Sequence, residues 1–202
     1  TALERLSFSS MTGLTGGLPE ELFNLASLTD LNLVGCTGLG GPIPAGIGKL
    51  TGLTNLQMSN VPFTGTLPPE IGQLKVLRSL GLFNTKLELP LPDALFDLEN
   101  LTSVLFQQNA NFNGPLPAGF GRMKTKSDRL SIRLENCNFT GTIPAEWAGI
   151  PDVTFQLRVQ ENRLSGTIPT IVKQHTCWTP SVWNPAVYIC PQQPGYGFDN
   201  CD

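Results

Sequence analysis

Apolar residues return along this chain at offsets 0, 3 and 5 of a unit some 25 residues long, as in Leu28, Leu31 and Leu33, Leu77, Leu80 and Leu82, or Leu101, Val104 and Phe106. The last two of each trio alternate with polar residues, the period-two mark of a short strand with one buried face. The pattern predicts seven such strands, around residues 6–8, 31–33, 56–58, 80–82, 104–106, 132–134 and 157–159. Since successive units run the same way and each needs a return path, the strands should stack in parallel. Each unit closes on an aliphatic-proline pair, at Leu18-Pro19, Ile43-Pro44, Leu67-Pro68, Leu91-Pro92, Leu116-Pro117, Ile143-Pro144 and Ile168-Pro169, spaced 24 to 27 residues apart. A fixed period of that size marks a solenoid.

The return path is legible in the second half of each unit. A proline can sit in an extended piece only at an edge or a bend. After it comes an apolar residue (Leu22, Ile47, Ile71, Leu95, Phe120, Trp147, Ile171), mostly followed three later by another (Leu25, Leu50, Leu74, Leu98, Met123, Ile150). That stretch is too short for an ordinary α-helix and predicts a single 3₁₀-like or α turn. No coil can cover its own apolar face, so neighbouring coils must share one core.

The series Leu-x-x-Leu-x-Leu-x-x-Asn-x-Leu-x-Gly-x-Ile-Pro, nearly whole at residues 157–169 and again at 132–144, resembles the plant-specific class of leucine-rich repeat. The resemblance covers about residues 3–175. It is similar to polygalacturonase-inhibiting proteins, to the ectodomains of plant receptor kinases and to surface leucine-rich repeat proteins of some gut bacteria; the segment from Cys190 to Cys201 looks more like the bacterial group. The fold this implies is an α/β-type right-handed solenoid with a parallel concave β-sheet and a short 3₁₀ or extended convex side. Its domains would be a seven-repeat solenoid over residues 1–175 and a capping segment over 176–202.

Three features depart from the pattern. The offset-8 column, where the class places Asn against the turn backbone, reads Met11, Cys36, Val61, Thr85, Asn109, Cys137 and Asn162, so most turns must satisfy their backbone groups otherwise. Leu89-Pro90-Leu91-Pro92 replaces the glycine of the other units and predicts an altered turn. An insertion spanning residues 122–129 carries four basic residues, read as a solvated bulge in preference to a docking loop.

Composition narrows the function. With 40% hydrophobic and 14% charged residues over 202 positions, the chain is one folded unit, and its net charge of -3 is scattered, which argues against nucleic acid as a partner. No apolar run is long enough to span a bilayer, so membrane association would need an upstream anchor. Leu3, Leu6 and Phe8 open a strand with nothing before them, which predicts further chain upstream, while Trp178, Trp183, Tyr188, Ile189, Tyr196 and Phe198 supply an apolar plug at the other end.

Cys36 and Cys137 share a column four coils apart, on the order of 20 Å at strand spacing, and are expected to be buried free thiols. Of the three pairings open to Cys177, Cys190 and Cys201, the preferred one is Cys190 with Cys201, which would suit a secreted or cell-surface protein. His175 is the only histidine, and His175-x-Cys177 lacks a recognised metal spacing. The glycines at 35, 38, 40 and 41 spell no phosphate-binding fingerprint, and Asp199 and Asp202 stand outside any phased calcium-ligand series. No catalytic group, metal or cofactor is expected, and an enzyme is not. Asn100-Leu101-Thr102 and Asn138-Phe139-Thr140 are sequons of the kind the repeat itself generates.

A partner should therefore meet the concave strands, on the side chains interleaved with the buried ones. Offset 4 reads Ser7, Asn32, Gln57, Gly81, Leu105, Arg133, Arg158. Offset 6 reads Ser9, Val34, Ser59, Phe83, Gln107, Glu135, Gln160, and offset 7 reads Ser10, Gly35, Asn60, Asn84, Gln108, Asn136, Glu161. Among small and amide-bearing residues, Phe83 and Leu105 stand out on adjacent coils, an apolar pair ringed by polar groups. The expected contact residues are Gln57, Phe83, Asn84, Leu105, Gln107, Gln108, Arg133, Glu135 and Arg158, with the charged members orienting the partner. The reading is a monomeric, non-enzymatic module for a protein or peptide; glycan binding or enzyme inhibition by the same face, and a structural or adhesive stalk, are the alternatives.

Overall fold

The computed structural model describes residues 2–127, 129–150 and 157–166, and the backbone of 154–156, 177–178 and 188–190. The expectations for His175, Ile171, Cys201 and the rings of Trp183, Tyr196 and Phe198 lie outside these residues.

Seven parallel strands, one per coil, form the concave sheet: Arg5–Ser7, Asp30–Asn32, Asn55–Gln57, Ser79–Gly81, Ser103–Leu105, Arg129–Arg133 and Thr154–Arg158. They start one to three residues before the sequence-derived positions. Leu6, Leu31, Leu56, Leu80, Val104, Ile132 and Leu157 stand in one register across the sheet. The β-strand Tyr188–Cys190 runs antiparallel to Thr154–Arg158, and Cys177–Trp178 runs antiparallel to it in turn, a register that sets Cys177 opposite Cys190.

The return side carries a single 3₁₀ turn in each of the first six coils: Glu20–Asn24, Ala45–Lys49, Pro69–Gln73, Asp93–Asp97, Ala118–Arg122 and Ala145–Gly149. A proline in extended conformation precedes each, and each closes when the N–H of the second apolar residue donates to the carbonyl of the first, as Leu74 does to Ile71 at 3.1 Å. The first apolar N–H likewise donates to the proline carbonyl, as Ile71 does to Pro68 at 3.1 Å, so both bonds span three residues, which is the 3₁₀ pattern.

Between strand and turn runs a lateral sheet of Gly41–Pro42, Phe63–Thr66 and Lys86–Glu88. It stops at coil 4, where the Leu89–Pro90 peptide is cis; this is the altered turn. A second lateral pair, Thr140–Gly141 with Arg163–Leu164, resumes further on.

The core is continuous through the stack. The offset 0, 3 and 5 residues of coils 2 to 5 are buried, and so are Ile132 and Leu134 of coil 6 and Phe23, Phe63, Phe112, Phe139 and Trp147. Rings link successive coils edge to face: Phe96 meets Phe120 at 5.0 Å between centroids, and Phe120 meets Trp147 at 5.8 Å. The Trp147 indole N–H donates to the Pro117 carbonyl at 2.9 Å.

Candidate binding face

Alternation along each strand turns the offset-4 side chains onto the concave face. Asn32, Gln57, Leu105, Arg133 and Arg158 are half-buried there. In the first half of the array the polar groups satisfy one another. Asp30 accepts from the Thr29 hydroxyl at 2.8 Å and from Asn55 Nδ2 at 3.5 Å, with Arg5 3.7 Å away. Gln57 Nε2 donates to Asn55 Oδ1 at 2.9 Å and to Ser79 Oγ at 3.0 Å, and its amide fills the space that Gly81, lacking a side chain, leaves open. Gln57, expected to meet a partner, thus has its donors already engaged by its own face.

Phe83 and Leu105 lie on consecutive coils at mid-array, each half-buried. Neither belongs to the core or packs against it. Backbone bonds tie their positions to the scaffold: Leu82 N–H donates to Leu105 C=O at 2.9 Å, Asn60 N–H to Phe83 C=O at 2.9 Å, and Phe83 N–H to the Ser59 hydroxyl at 3.2 Å.

The offset-7 column has a backbone role that sequence reasoning missed. Ser10, Gly35, Asn60, Asn84, Gln108, Asn136 and Glu161 all take φ between 51° and 75°, the left-handed region where the chain leaves the strand. Asn and Gly are the residues that tolerate it best, and together they hold four of the seven places, which was the available signal. Asn84 also donates to Asn60 Oδ1 at 2.8 Å. Asn84 and Gln108 remain at the rim of the face, but their residue types answer first to this turn.

Offset 6 also differs from expectation. Ser59, Glu135 and Gln160 are buried rather than displayed, whereas at the same offset Ser9 is exposed and Val34, Phe83 and Gln107 are half-buried. Arg133 donates to Glu135 Oε1 through both Nε, at 2.9 Å, and Nη2, at 2.7 Å. Glu135 Oε2, Gln107 Oε1 and Gln160 Oε1 are buried with no partner. Each such acceptor costs about 1–3 kcal/mol of stability.

Beneath the face the offset-8 column resolves the question left by its missing asparagines. Asn109 Nδ2 donates to the Leu82 and Phe106 carbonyls, both at 2.8 Å, while its Oδ1 accepts from Thr85 N–H at 2.8 Å and Thr85 Oγ1 at 2.7 Å. Asn162 repeats the arrangement against Cys137 and Phe139 N–H, both at 3.0 Å, and the Leu134 and Val159 carbonyls, both at 2.8 Å. Where cysteine stands instead, its thiol takes over the donor role: Cys36 Sγ to Phe8 C=O at 2.7 Å, Cys137 Sγ to Phe106 C=O at 3.1 Å. Both thiols are free and buried. Burial pushes the Cys137 thiol up to about 12, the nearby Glu135 carboxylate adding to the rise against bonds from Asn109 and Gln108 that oppose it.

The insertion folds back on the preceding coil. Arg122 pairs with Asp93 at 3.0 Å and Asp97 at 3.6 Å and lies over the Phe96 ring, while Lys126 meets Glu99 at 2.7 Å and holds that carboxyl below its usual range. The sequon asparagines do similar work, Asn100 Nδ2 donating to Lys75 C=O at 2.7 Å and Asn138 Nδ2 to Ala110 C=O at 2.8 Å.

A continuous leucine core, a parallel concave sheet and a 3₁₀ return define the class: the chain is a leucine-rich repeat solenoid. A Leucine Rich Repeat profile matches residues 52–74. Among curated proteins it is 34% identical over 115 residues to Pollen receptor-like kinase 2 of Arabidopsis thaliana, a match covering 56% of this chain and 16% of that protein's length. Among solved structures it resembles the plant peptide hormone receptor RGFR1 in complex with RGF2 (TM-score 0.71, 28% identity, 84% of this chain, 26% of that one). It also resembles a plant ice-binding protein (TM-score 0.70, 29% identity, 81% of this chain, 50% of that one). The chain thus spans a small part of the receptor proteins it matches.

Proposed function

We propose that this chain is a non-enzymatic recognition module, acting outside the cytoplasm, that binds an extended peptide or protein segment along its concave strands. The observation that carries this is the Phe83–Leu105 pair: two apolar side chains on adjacent coils, on the open face, held by the scaffold and unused by the core. Apolar anchors ringed by polar groups are where interface energy concentrates. The Asn84, Gln107, Gln108, Arg133 and Arg158 side chains supply that ring. The likeness to RGFR1, a peptide hormone receptor solved in complex with RGF2, supports a peptide-binding use of this fold.

The test begins with selecting dodecapeptides from a random displayed library on the wild-type chain. Selected peptides should lose about tenfold or more in affinity on a Phe83→Ala, Leu105→Ala variant, as for truncated interface anchors, while Tm stays near wild type. Equal affinity for both chains, or no enrichment at all, overturns the reading.

A further inference from the structure

The cysteines differ in what surrounds them. Cys36 and Cys137 are buried inside the stack, and each thiol already donates to a backbone carbonyl, of Phe8 and of Phe106. Burial also keeps the Cys137 thiol protonated at neutral pH, which withholds its nucleophilic form. Cys177 and Cys190 stand elsewhere, in the two short strands that extend the concave sheet past Thr154–Arg158. There Leu157 pairs with Ile189 and Arg158 with Tyr188, so Tyr188–Cys190 covers the outer edge of the seventh coil. Cys177–Trp178 runs along Tyr188–Cys190 in turn, its backbone register setting Cys177 directly opposite Cys190 and Trp178 opposite Ile189.

That outer pairing is only two residue pairs long, while twelve residues separate Cys177 from Cys190 along the chain. Closing such a connection costs conformational entropy that two residue pairs repay poorly, and an isolated pair of strands is marginal in water. A cross-link at this place offsets much of that cost by restricting the unfolded chain. The register also permits one. Directly opposed residues of an antiparallel pair have Cα atoms ~4.5 or ~5.5 Å apart, and disulfides span Cα separations of about 4.4–6.8 Å.

We propose that Cys177 and Cys190 form a disulfide that locks the outer strand pair onto the seventh coil and leaves Cys201 a thiol. Spacing along the chain favoured Cys201 as the partner of Cys190; the register of the sheet gives Cys190 a different neighbour. The proposal shares with the proposed function only its setting outside the cytoplasm, where disulfides persist, and does not depend on the Phe83–Leu105 anchor. Closing the bond takes two electrons and two protons from the thiols, and oxidised glutathione accepts them and leaves as two molecules of the reduced tripeptide. Opening it frees the cover of the seventh coil, while the coils before it keep their own neighbours.

The test is a map of cross-links in the full chain after equilibration with oxidised and reduced glutathione. Remaining thiols are blocked with N-ethylmaleimide in urea, and the unreduced chain is cut with chymotrypsin, which can cleave after Trp178, Trp183 and Tyr188 and after Tyr196 and Phe198, so every pairing gives its own mass. The expected product joins the peptides of Cys177 and Cys190, with N-ethylmaleimide on Cys36, Cys137 and Cys201. A cross-link from Cys201 to either of the other two, or N-ethylmaleimide on all five, would overturn the pairing. Cys201→Ser should keep the Cys177–Cys190 product, and its loss in that variant would count equally against it. Reduction with a phosphine should then speed amide exchange at Leu157 and Arg158 about tenfold or more, as for a loop-closing bond removed, and leave coils 3 to 5 unchanged. Equal exchange at Leu157 and Arg158 before and after reduction would show that the bond locks nothing. Peptides that fail to select on the concave face leave these results untouched, and an unlinked Cys190 leaves the peptide result standing.

Discussion

Asn109 shows how much one side chain can carry inside a solenoid. Its amide serves Leu82 and Phe106 carbonyls and both polar groups of Thr85, binding two coils together at a buried point. Asn109→Ala strands those groups away from water, so a loss of about 2–4 kcal/mol is expected, from one or more buried groups left unpaired; urea unfolding measures it. Cys137 is a weaker rung of the same kind, with a titration of its own. Its folded thiol ionises near 12 against a starting value of 9.0. The neutral thiol is therefore the form that folding favours: its contribution is whole below pH 9 and drains away between 9 and 12, as the unfolded chain sheds the proton first. Relative to Cys137→Ala, the wild type should lose stability over that window in pH-dependent unfolding. Iodoacetamide at neutral pH should leave Cys137 unmodified until the protein unfolds. The leucines and both buried thiols were legible from spacing. The thiol's part as backbone donor was not, since it depends on where the carbonyl of a residue 31 positions earlier comes to rest.

At the scale of elements, strands and turns followed from the pattern with a shift of one to three residues, because offsets 3 and 5 mark the buried side while hydrogen bonding sets the ends. The basic residues of the insertion suggested a solvated segment, and Arg122 and Lys126 are exposed while also pairing with Asp93, Asp97 and Glu99 of the preceding coil. These pairs are exposed, so Arg122→Ala should cost no more than about 1 kcal/mol by thermal unfolding. Gly81 is the opposite case, a missing side chain with consequences. Its backbone is ordinary strand, so Gly81→Ala should fold, but the new Cβ meets the Gln57 amide and must displace it from Asn55 and Ser79. The Gln57 side-chain NH₂ resonances should move toward solvent-like shifts and exchange, at a cost of about 0.5–1.5 kcal/mol for a hydrogen bond lost near the surface.

For the molecule as a whole, stability is a sum over neighbouring coils. Leu80, with Leu56 and Val104 beside it in register, sits at the centre of the stack and is fully buried. Leu80→Ala should remove about 2–5 kcal/mol. Coil 1 has a covered face on one side only: Leu3 is 47% exposed and Leu6 and Phe8 are half-buried. Hydrogen exchange should therefore be fastest over residues 2–10 and slowest over coils 3 to 5; uniform protection would contradict a nearest-neighbour array.

From the order of residues alone came the period, the shared core, the parallel strands and the short return turn. All of these depend on which positions are apolar, and a repeat states that seven times over. Tertiary structure decided which interleaved polar atoms are already satisfied. Gln57 lost its freedom to Asn55 and Ser79, offset 7 proved to be a backbone turn, and the oxygens of Gln107, Glu135 and Gln160 were left bare. Gln57 meets Ser79 from an adjoining coil 22 residues away along the chain, and the Cys137 thiol meets a carbonyl 31 residues back. Hydrophobic burial tolerates any neighbour of the right shape, so it can be read one unit at a time. A hydrogen bond needs one donor and one acceptor within about 3 Å, and only the stacked coils bring them that close.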